Sequence, residues 1–358
     1  MLSFCFKLLQ QREKRLLVKS KYRKLKMKFR KKVFFLIVIL LMCLCVKAQN
    51  TGSTPSIAPP SLGQLPSCSP GAKFYSKDSV IITTFGASTV HGMYGYDFQG
   101  PLQKDFEHCY KGKVVDITNQ GIPGETTTVA LPRFPAAIAG RKGFILILIG
   151  LNDAIAMANN KMKLTETEKN MNYYIKTSLA NNLIPIIGTL QFIDDRTIPI
   201  NKTINLYVKQ INTLYKRLAS DNSIKIADIN KAIGRDFTLY NEDGIHPNQA
   251  GYNLIGYVWF DELNQVIENS LLLIGLNQNY PNPVKTATTI GFSLSKPGRV
   301  QIKLYDITGA MVKDIYNEYQ NSGYHEVRVG LNDLSPGIYI YSMQVGGQYI
   351  SKKMLVVG

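Results

Sequence analysis

Short apolar runs alternate with amphipathic helical patterns between residues 74 and 270. Five of the runs are nearly continuous in apolar residues, as expected of parallel strands that are buried on both faces. They lie at Val80–Phe85, Val114–Asn119, Phe144–Ile149, Ile184–Leu190 and Ile224–Asp228. Strands that alternate with helices predict a doubly wound, flavodoxin-like α/β domain, a three-layer α/β/α sandwich around a parallel sheet.

Helical patterns fill the stretches between these strands. The clearest helix is predicted to begin at Thr165, because Thr165 and Glu168 have the spacing of a capping box. Two longer helices are predicted over Lys202–Ser220 and Gln249–Glu268. The last of them would close the α/β domain, which we place at residues 74–270.

From residue 276 the apolar residues recur at every second position, as at Ile290, Phe292 and Leu294. Glycine-containing turn signals separate the short runs: Pro297-Gly298, Thr308-Gly309, Ser322-Gly323, Pro336-Gly337 and Gly346-Gly347. Short strands at near-regular spacing predict a small all-β sandwich, which we place at residues 276–358.

The positive charge of the chain is concentrated near its N-terminus. The formal net charge is +17 over 358 residues. Residues 1–49 hold fourteen Lys or Arg and a single acid, Glu13, so that only +4 remains for residues 50–358. A basic groove across the body is therefore not implied, and the charge does not indicate a nucleic-acid-binding protein.

Residues 1–49 have the order of a basic N-terminus followed by a secretion signal. Basic residues precede the apolar run Val33–Val46, and Ala48-Gln49 offers a cleavage zone. A single membrane anchor is the alternative, but a bilayer span needs about twenty apolar residues, more than this run supplies. A conventional signal peptide would start at Met27. Residues 50–73, rich in Pro, Ser and Thr, are predicted to form an extended linker.

Removal of the signal leaves two cysteines, Cys68 and Cys109. In an oxidising compartment they could form a disulfide, or both could remain thiols, and the sequence leaves the two states open. The cysteines and histidines lack the spacing of a zinc site, so no metal and no cofactor is predicted.

Four polar segments lie where ligands bind in open α/β sheets, after the carboxyl ends of strands or on the final loop. The first strand ends in Phe85-Gly86-Ala87-Ser88-Thr89. The other segments are Asn119–Thr126, Gly150–Asp153 and Asp243–Pro247. Each has a simpler reading in isolation: a serine after a strand is usually a helix N-cap, and the Asn and Asp residues are common in turns.

Together, and in this order, the four segments resemble the SGNH or GDSL hydrolase family over roughly residues 79–267. The resemblance implies that Ser88 is the nucleophile and that Asp243 and His246 are its partners. It implies an oxyanion hole formed by the Ser88 N–H, the Gly124 N–H and the Asn152 amide. The chain departs from the family pattern at Ala87, where an Asp is usual.

A serine hydroxyl is a weak nucleophile, and it needs an adjacent base to take its proton. His246 would serve as that base and Asp243 would orient its imidazole. Gly124 would allow a close backbone approach to the substrate that a side chain could obstruct. His91, which follows Ser88 closely, is a weaker candidate for the base.

The C-terminal segments resemble the type IX (Por) secretion system C-terminal sorting domain over about residues 276–358. The similar segments are Asn279–Pro283, Val300–Gly309, Leu334–Tyr339 and Lys352–Val357. The resemblance implies export by the secretion machinery through the periplasm to the cell surface or the medium. A carbohydrate-binding sandwich is the alternative for this domain.

Together, these expectations predict that the protein is a secreted serine esterase. It would hydrolyse short-chain acyl esters, including O-acetyl groups on carbohydrate. A lysophospholipase or lipase-like acylhydrolase is one alternative. A surface-binding protein that has lost catalysis on the same fold is the other, and Ala87 is the sequence feature that suggests it. The partners expected are a glycan or lipid ester and the secretion machinery, with no nucleic acid and no membrane span after signal cleavage.

Overall fold

The structure, a computed structural model, describes residues 64–358. Its N-terminal part contains a five-stranded parallel sheet in the order β2-β1-β3-β4-β5. The strands are β1 (Ser79–Gly86), β2 (Val114–Gly121), β3 (Phe144–Leu148), β4 (Ile184–Gly188) and β5 (Lys225–Ala227). All five predicted strands are present. The predicted signal peptide and most of the predicted linker lie outside the described residues.

Helices connect these strands and cover the sheet. They are α1 (Ser88–His91), α2 (Gln99–Cys109), α3 (Thr127–Ala130), α4 (Phe134–Ile138), α5 (Leu151–Ala158), α6 (Leu164–Ala180), α7 (Pro199–Asp221), α8 (Ile229–Ile233) and α9 (Gln249–Ser270). From β1 the chain moves one way along the sheet to β2, and from β3 it moves the other way to β4 and β5. Right-handed crossovers then place the two sets of helices on opposite faces. Helix α2 packs against α9, whereas α5 and α6 pack against α7. The predicted doubly wound α/β fold is confirmed.

The strands differ in how deeply they are buried. β3, near the centre of the sheet, is buried along its whole length. β2 was expected to be buried on both faces, but it lies at the edge of the sheet and Val114 is 66% exposed. Every residue of β2 is half-buried or exposed, so the helices cover this edge strand only in part.

The predicted capping box at Thr165 and Glu168 is wrong. Helix α6 begins at Leu164, and the side chain of Glu166 accepts a hydrogen bond of 3.1 Å from the backbone N–H of the N-cap residue Lys163. Glu168 instead pairs with Arg217 on α7. Two acids spaced by two residues offered two registers for the cap, and packing against α7 uses the second acid.

The C-terminal part is all-β, as predicted. Its strands are β6 (Gly275–Leu276), β7 (Ala287–Leu294), β8 (Gly298–Tyr305), β9 (Met311–Gln320), β10 (Gly323–Gly330), β11 (Gly337–Val345) and β12 (Gln348–Val356). They form two antiparallel sheets, β10-β7-β6 and β12-β11-β8-β9. Buried apolar residues form one cluster from Ala72 to Leu272 and a second from Leu276 to Val356. The domain boundaries proposed from the sequence remain predictions.

Cys68 and Cys109 form a disulfide with a Cα–Cα distance of 5.0 Å, which is one of the two states left open above. It joins the segment before β1 to the end of α2. His108 lies beside the two sulfur atoms, and within residues 64–358 these three residues form the one cluster with metal-ligand geometry. Both sulfurs are engaged in the disulfide, so they are not thiolates, the form of cysteine that binds metals.

None of the helices in the described part of the chain has the length and apolarity that a membrane span requires.

Candidate active site

The nucleophile predicted from the sequence lies where three strand ends meet. Gly86, the last residue of β1, pairs with Gly121 of β2 on one side and with Leu148 of β3 on the other. A Cβ atom at Gly86 would lie 2.1 Å from the carbonyl oxygen of Leu148, so only glycine fits there. Ser88 follows two residues later as the first residue of α1.

The structure brings Ser88, His246 and Asp243 together although 158 positions separate the first two. His246 Nε2 lies 2.8 Å from Ser88 Oγ, and His246 Nδ1 lies 2.6 Å from Asp243 Oδ2. The side chains of His246 and Asp243 are 15% and 23% exposed. The alternative base, His91, instead contacts the carbonyl oxygen of Gly121 through Nδ1 at 3.2 Å.

Asp243 is held by its own loop as well as by His246. Its Oδ1 accepts hydrogen bonds of 2.9 Å from the backbone N–H groups of Ile245 and His246. Its Oδ2 accepts from His246 Nδ1 and, at 3.0 Å, from the phenol of Tyr94. Burial raises the pKa of the Asp243 carboxyl, but the hydrogen bonds from His246, Ile245 and Tyr94 outweigh this effect and leave the pKa below its usual value.

The ionised carboxylate decides which nitrogen of His246 carries the proton. A carboxylate can only accept hydrogen bonds, so Nδ1 must donate to it. In the neutral imidazole the other nitrogen, Nε2, is then free of a proton and accepts from the Ser88 hydroxyl. This arrangement is the one in which the serine proton can pass directly to the imidazole.

Two further predicted residues, Gly124 and Asn152, lie on the loop after β2 and at the start of α5. The Asn152 side-chain amide donates a 2.9 Å hydrogen bond to the carbonyl oxygen of Glu125, the residue after Gly124. This bond links the two segments and uses one of the two N–H groups of the amide. Gly124 has φ +82°, and a Cβ atom placed on it would meet nothing within 4 Å. In the free protein, glycine is therefore favoured there by the left-handed backbone and not by close packing.

The helical turn that contains Ser88 is closed by backbone hydrogen bonds to Ala87, at the position where an aspartate was expected from the family pattern. The carbonyl oxygen of Ala87 accepts hydrogen bonds from the backbone N–H groups of Val90 at 3.1 Å and His91 at 2.9 Å. The side chain of Ala87 is buried. Backbone contacts therefore fix the position of Ser88, and Ala87 is compatible with an ordered site.

A family model for the GDSL-like lipase/acylhydrolase family matches residues 84–254. This range includes the five site residues predicted from the sequence: Ser88, Gly124, Asn152, Asp243 and His246. A GDSL-like lipase/acylhydrolase domain is therefore found at residues 84–254. The chain is therefore a hydrolase that acts on carboxylic esters.

A second model, for a secretion system C-terminal sorting domain, matches residues 278–357. It indicates export to the cell surface or the extracellular space by the type IX machinery. No curated protein matches the chain.

Several solved structures are similar to the GDSL-like domain at low identity. An acetylxylan esterase from Geobacillus stearothermophilus is 17% identical, with a TM-score of 0.44, and the match covers 53% of this chain and 96% of that one. A lipase/acylhydrolase from Enterococcus faecalis is 23% identical, with a TM-score of 0.44, over 52% of this chain and 95% of that one.

Sequence reasoning missed Arg133, which ties together three parts of the GDSL-like domain. Its guanidinium donates to the carbonyl oxygens of Gly86 at 3.1 Å and Gln120 at 3.0 Å, near the ends of β1 and β2. It also forms a two-pronged ion pair with Glu125, whose carbonyl accepts from Asn152. No local pattern marks such an arginine, because its partners lie on different strands and loops.

The GDSL-like domain also contains a buried carboxyl group, Asp153, that sequence reasoning left without a role. Its side chain accepts hydrogen bonds from the Thr127 backbone N–H (2.9 Å), the Thr127 hydroxyl (2.5 Å) and the Thr167 hydroxyl (2.9 Å). Burial raises the pKa of Asp153, and these bonds oppose the shift in part. Asp153, the residue after Asn152 on α5, therefore links α5 to α3 and α6 through its side chain.

Replacing Arg133 with lysine is expected to lower kcat about tenfold to a hundredfold and to leave KM nearly unchanged. Lysine keeps the charge but cannot reach Glu125 and two carbonyl groups with one planar fork. The loss of hydrogen bonds to a charged group would also lower the free energy of unfolding by about 1–3 kcal/mol. Steady-state kinetics and denaturant titration of the same preparation measure the two effects.

Arg141→Lys is the matched control. Arg141 donates to the Ile82 carbonyl and the Thr83 hydroxyl and pairs with Asp116, so it joins β1 to β2 several residues before their ends. Arg141 and Arg133 have similar side-chain exposure, 20% and 21%. We expect Arg141→Lys to lower stability to a similar extent but to leave kcat unchanged. Equal kcat losses in the two variants would contradict a role for Arg133 in ordering the site.

Proposed function

We propose that this chain is a secreted serine esterase in which Ser88 is the nucleophile, His246 the general base and acid, and Asp243 the residue that orients His246. The observation that carries the proposal is the continuous hydrogen-bonded series Ser88 Oγ, His246 Nε2, His246 Nδ1 and Asp243 Oδ2, with distances of 2.8 and 2.6 Å. Hydrogen bonds of this length between nucleophile, base and orienting group are what activation of a serine requires.

The first half of the reaction forms an acyl-enzyme. Ser88 Oγ bonds to the ester carbonyl carbon while its proton passes to His246 Nε2, and the carbonyl oxygen becomes an oxyanion. When the tetrahedral intermediate collapses, the carbon–oxygen bond to the alcohol breaks and His246 gives its proton to the departing alcohol oxygen. Asp243 stabilises the imidazolium between these two steps and stays ionised.

Water completes the cycle in the second half. His246 takes a proton from a water molecule, whose oxygen bonds to the acyl carbon. Collapse of the second tetrahedral intermediate breaks the bond to Ser88 Oγ, which recovers its proton from His246 as the carboxylic acid leaves. In both halves the Ser88 N–H, the Gly124 N–H and the Asn152 amide are the proposed donors to the oxyanion.

We propose that the acyl group is short and that the alcohol part is polar, as in O-acetylated carbohydrate. Support comes from the surface beside the loop Asp243–Pro247, which we call the catalytic loop. Tyr94, which contacts this loop, is 58% exposed, and Tyr96 in the same turn is 38% exposed. An exposed tyrosine offers an apolar ring face together with a polar hydroxyl, which suits a polar ester in solution. The enzyme would act at the cell surface or in the medium, a location with which the Cys68–Cys109 disulfide agrees.

The test combines a substrate series with covalent labelling of the whole chain. Nitrophenyl esters of increasing acyl length are expected to be hydrolysed fastest at the acetyl or butyryl ester, and a preference for long chains would support a lipase-like enzyme instead. A fluorophosphonate probe should add its phosphonyl mass to the peptide that contains Ser88, and Ser88→Ala should remove the label. No hydrolysis and no labelling would favour a surface-binding protein without catalysis, and acetylated glycans would then be tested as ligands.

A further inference from the structure

Tyr94 lies at the tip of a tight hairpin turn beside the catalytic loop. Met93 and Tyr96 exchange two backbone hydrogen bonds of 2.9 and 3.0 Å, so that Tyr94 and Gly95 are the two central residues of the turn. Both have positive φ, +57° at Tyr94 and +82° at Gly95, as a type I′ turn requires. The backbone of Met93 lies near the buried hydroxyl of Tyr252 on α9.

Tyrosine is an unfavourable residue for this position. Positive φ at the first central residue of such a turn is normally supplied by Asn, Asp or Gly, because a larger side chain crowds the backbone. Residues held in an unfavourable backbone conformation cluster at functional sites, where a specific contact compensates the strain. The contact made by Tyr94 is with Asp243.

The phenol of Tyr94 donates a 3.0 Å hydrogen bond to Asp243 Oδ2, the same oxygen that accepts from His246 Nδ1. The ring of Tyr94 also stands edge-on to the imidazole of His246, with 6.3 Å between the centroids. With the two backbone bonds to Oδ1, the carboxylate accepts four hydrogen bonds, close to the full capacity of its two oxygens. Tyr94 and His246 therefore both donate hydrogen bonds to the same negatively charged oxygen of Asp243.

We propose that Tyr94 is a positioning residue that sets the proton affinity of His246 through Asp243. The proposal rests on the function proposed above for Ser88, His246 and Asp243. A donor on Oδ2 draws negative charge away from the bond to Nδ1, so that the carboxylate stabilises the imidazolium less. His246 then stays neutral, and able to accept the serine proton, at a lower pH than it would without Tyr94.

Other ionisable groups lie near Tyr94 or the loop Asp243–Pro247 and stay constant in the comparison. They are His91, Asp97, Asp194 with its partner Arg196, Glu242 and Tyr252. Because Tyr94→Phe changes none of them, a shift in titration between the wild-type protein and this variant reports the phenol hydrogen bond.

The decisive variant is Tyr94→Phe, measured as the pH dependence of kcat/KM for a nitrophenyl ester. On its acidic side kcat/KM rises as His246 loses its proton. Loss of the phenol hydrogen bond leaves more negative charge facing Nδ1, so we expect the midpoint of this limb to move to higher pH by about half a unit. At pH values below the midpoint, kcat/KM should fall about threefold more than it does on the plateau. A uniform loss at every pH, or an unmoved midpoint, would overturn the proposal.

Two more variants separate this effect from damage to the turn. Tyr94→Asn removes the phenol but supplies a residue that suits positive φ, so we expect the same pH shift in a protein that is at least as stable as wild type. Tyr96→Phe removes a neighbouring phenol from the same hairpin and should leave the midpoint in place. A shift in Tyr96→Phe as large as in Tyr94→Phe would overturn the proposal.

The titration of His246 can also be followed without turnover. The chain has four histidines, and His246→Gln identifies the imidazole resonance of His246 in an NMR titration of the whole protein. The midpoint should rise in Tyr94→Phe relative to wild type by the same half unit. If Ser88→Ala hydrolysed esters as fast as wild type, the proposed function would fail, and the NMR midpoints would still decide whether Tyr94 acts on His246.

Discussion

Replacing Ser88 with alanine is expected to lower kcat by roughly 10⁶-fold at pH 8, because the residue that forms the acyl-enzyme is removed. The hydroxyl makes one hydrogen bond, of 2.8 Å to His246. The variant should therefore fold normally and melt close to the wild-type temperature. KM should change little, since the groups that bind the ester remain. Rates of nitrophenyl acetate hydrolysis, corrected for the spontaneous reaction, measure the loss.

Thr89→Ala is the matched control for Ser88→Ala. Thr89 is the next residue of the same helix, and its buried hydroxyl accepts a hydrogen bond from Gln191. Its removal should cost some stability and less than tenfold in kcat. A Ser88→Ala protein that keeps more than about one hundredth of wild-type activity would show that another group is the nucleophile.

Replacing Asp243 with asparagine should lower kcat by roughly 10⁴-fold with little change in shape. Asparagine can still accept from the two backbone N–H groups, but it places an NH₂ group where the carboxylate oxygen accepted from His246 Nδ1. An NH₂ group cannot accept, so Nδ1 loses its proton and Nε2 gains it. The imidazole then presents a donor to Ser88 and cannot act as its base.

Asp97→Asn tests whether loss of a nearby charge alone explains the effect. Asp97 accepts from the Gly100 N–H near the start of α2, a bond that asparagine can also make. We expect it to keep near-wild-type activity. The double variant Ser88→Ala, Asp243→Asn should be no slower than Ser88→Ala alone, because residues that act as one unit are not additive. Additive losses in the double variant would argue against a shared mechanism for Ser88 and Asp243.

The fold could be predicted from the sequence because its signals are local. Continuous apolar runs place the five strands of the α/β sheet, and alternation with turn glycines places the C-terminal strands. The order of the strands is not specified in this way. Asp116 and Thr118 interrupt the run of β2, whereas the run of β3 is apolar throughout, but the single neighbour of β2 follows only from how the elements pack. The choice between two caps for α6 depended in the same way on packing against α7.

The sequence by itself determined the chemistry available at the carboxyl edge of the sheet: a serine after β1, a glycine-rich loop after β2, an asparagine after β3 and an Asp-x-x-His loop before α9. Those residues follow strand and helix ends, so their positions are encoded within a few residues of each motif. Only the tertiary structure decided that His246 and not His91 reaches Ser88, that Arg133 joins two strand ends to Glu125, and that Tyr94 bonds to Asp243. Each of these contacts joins segments distant in the chain. Their geometry depends on how whole elements pack, and no local periodicity specifies that packing.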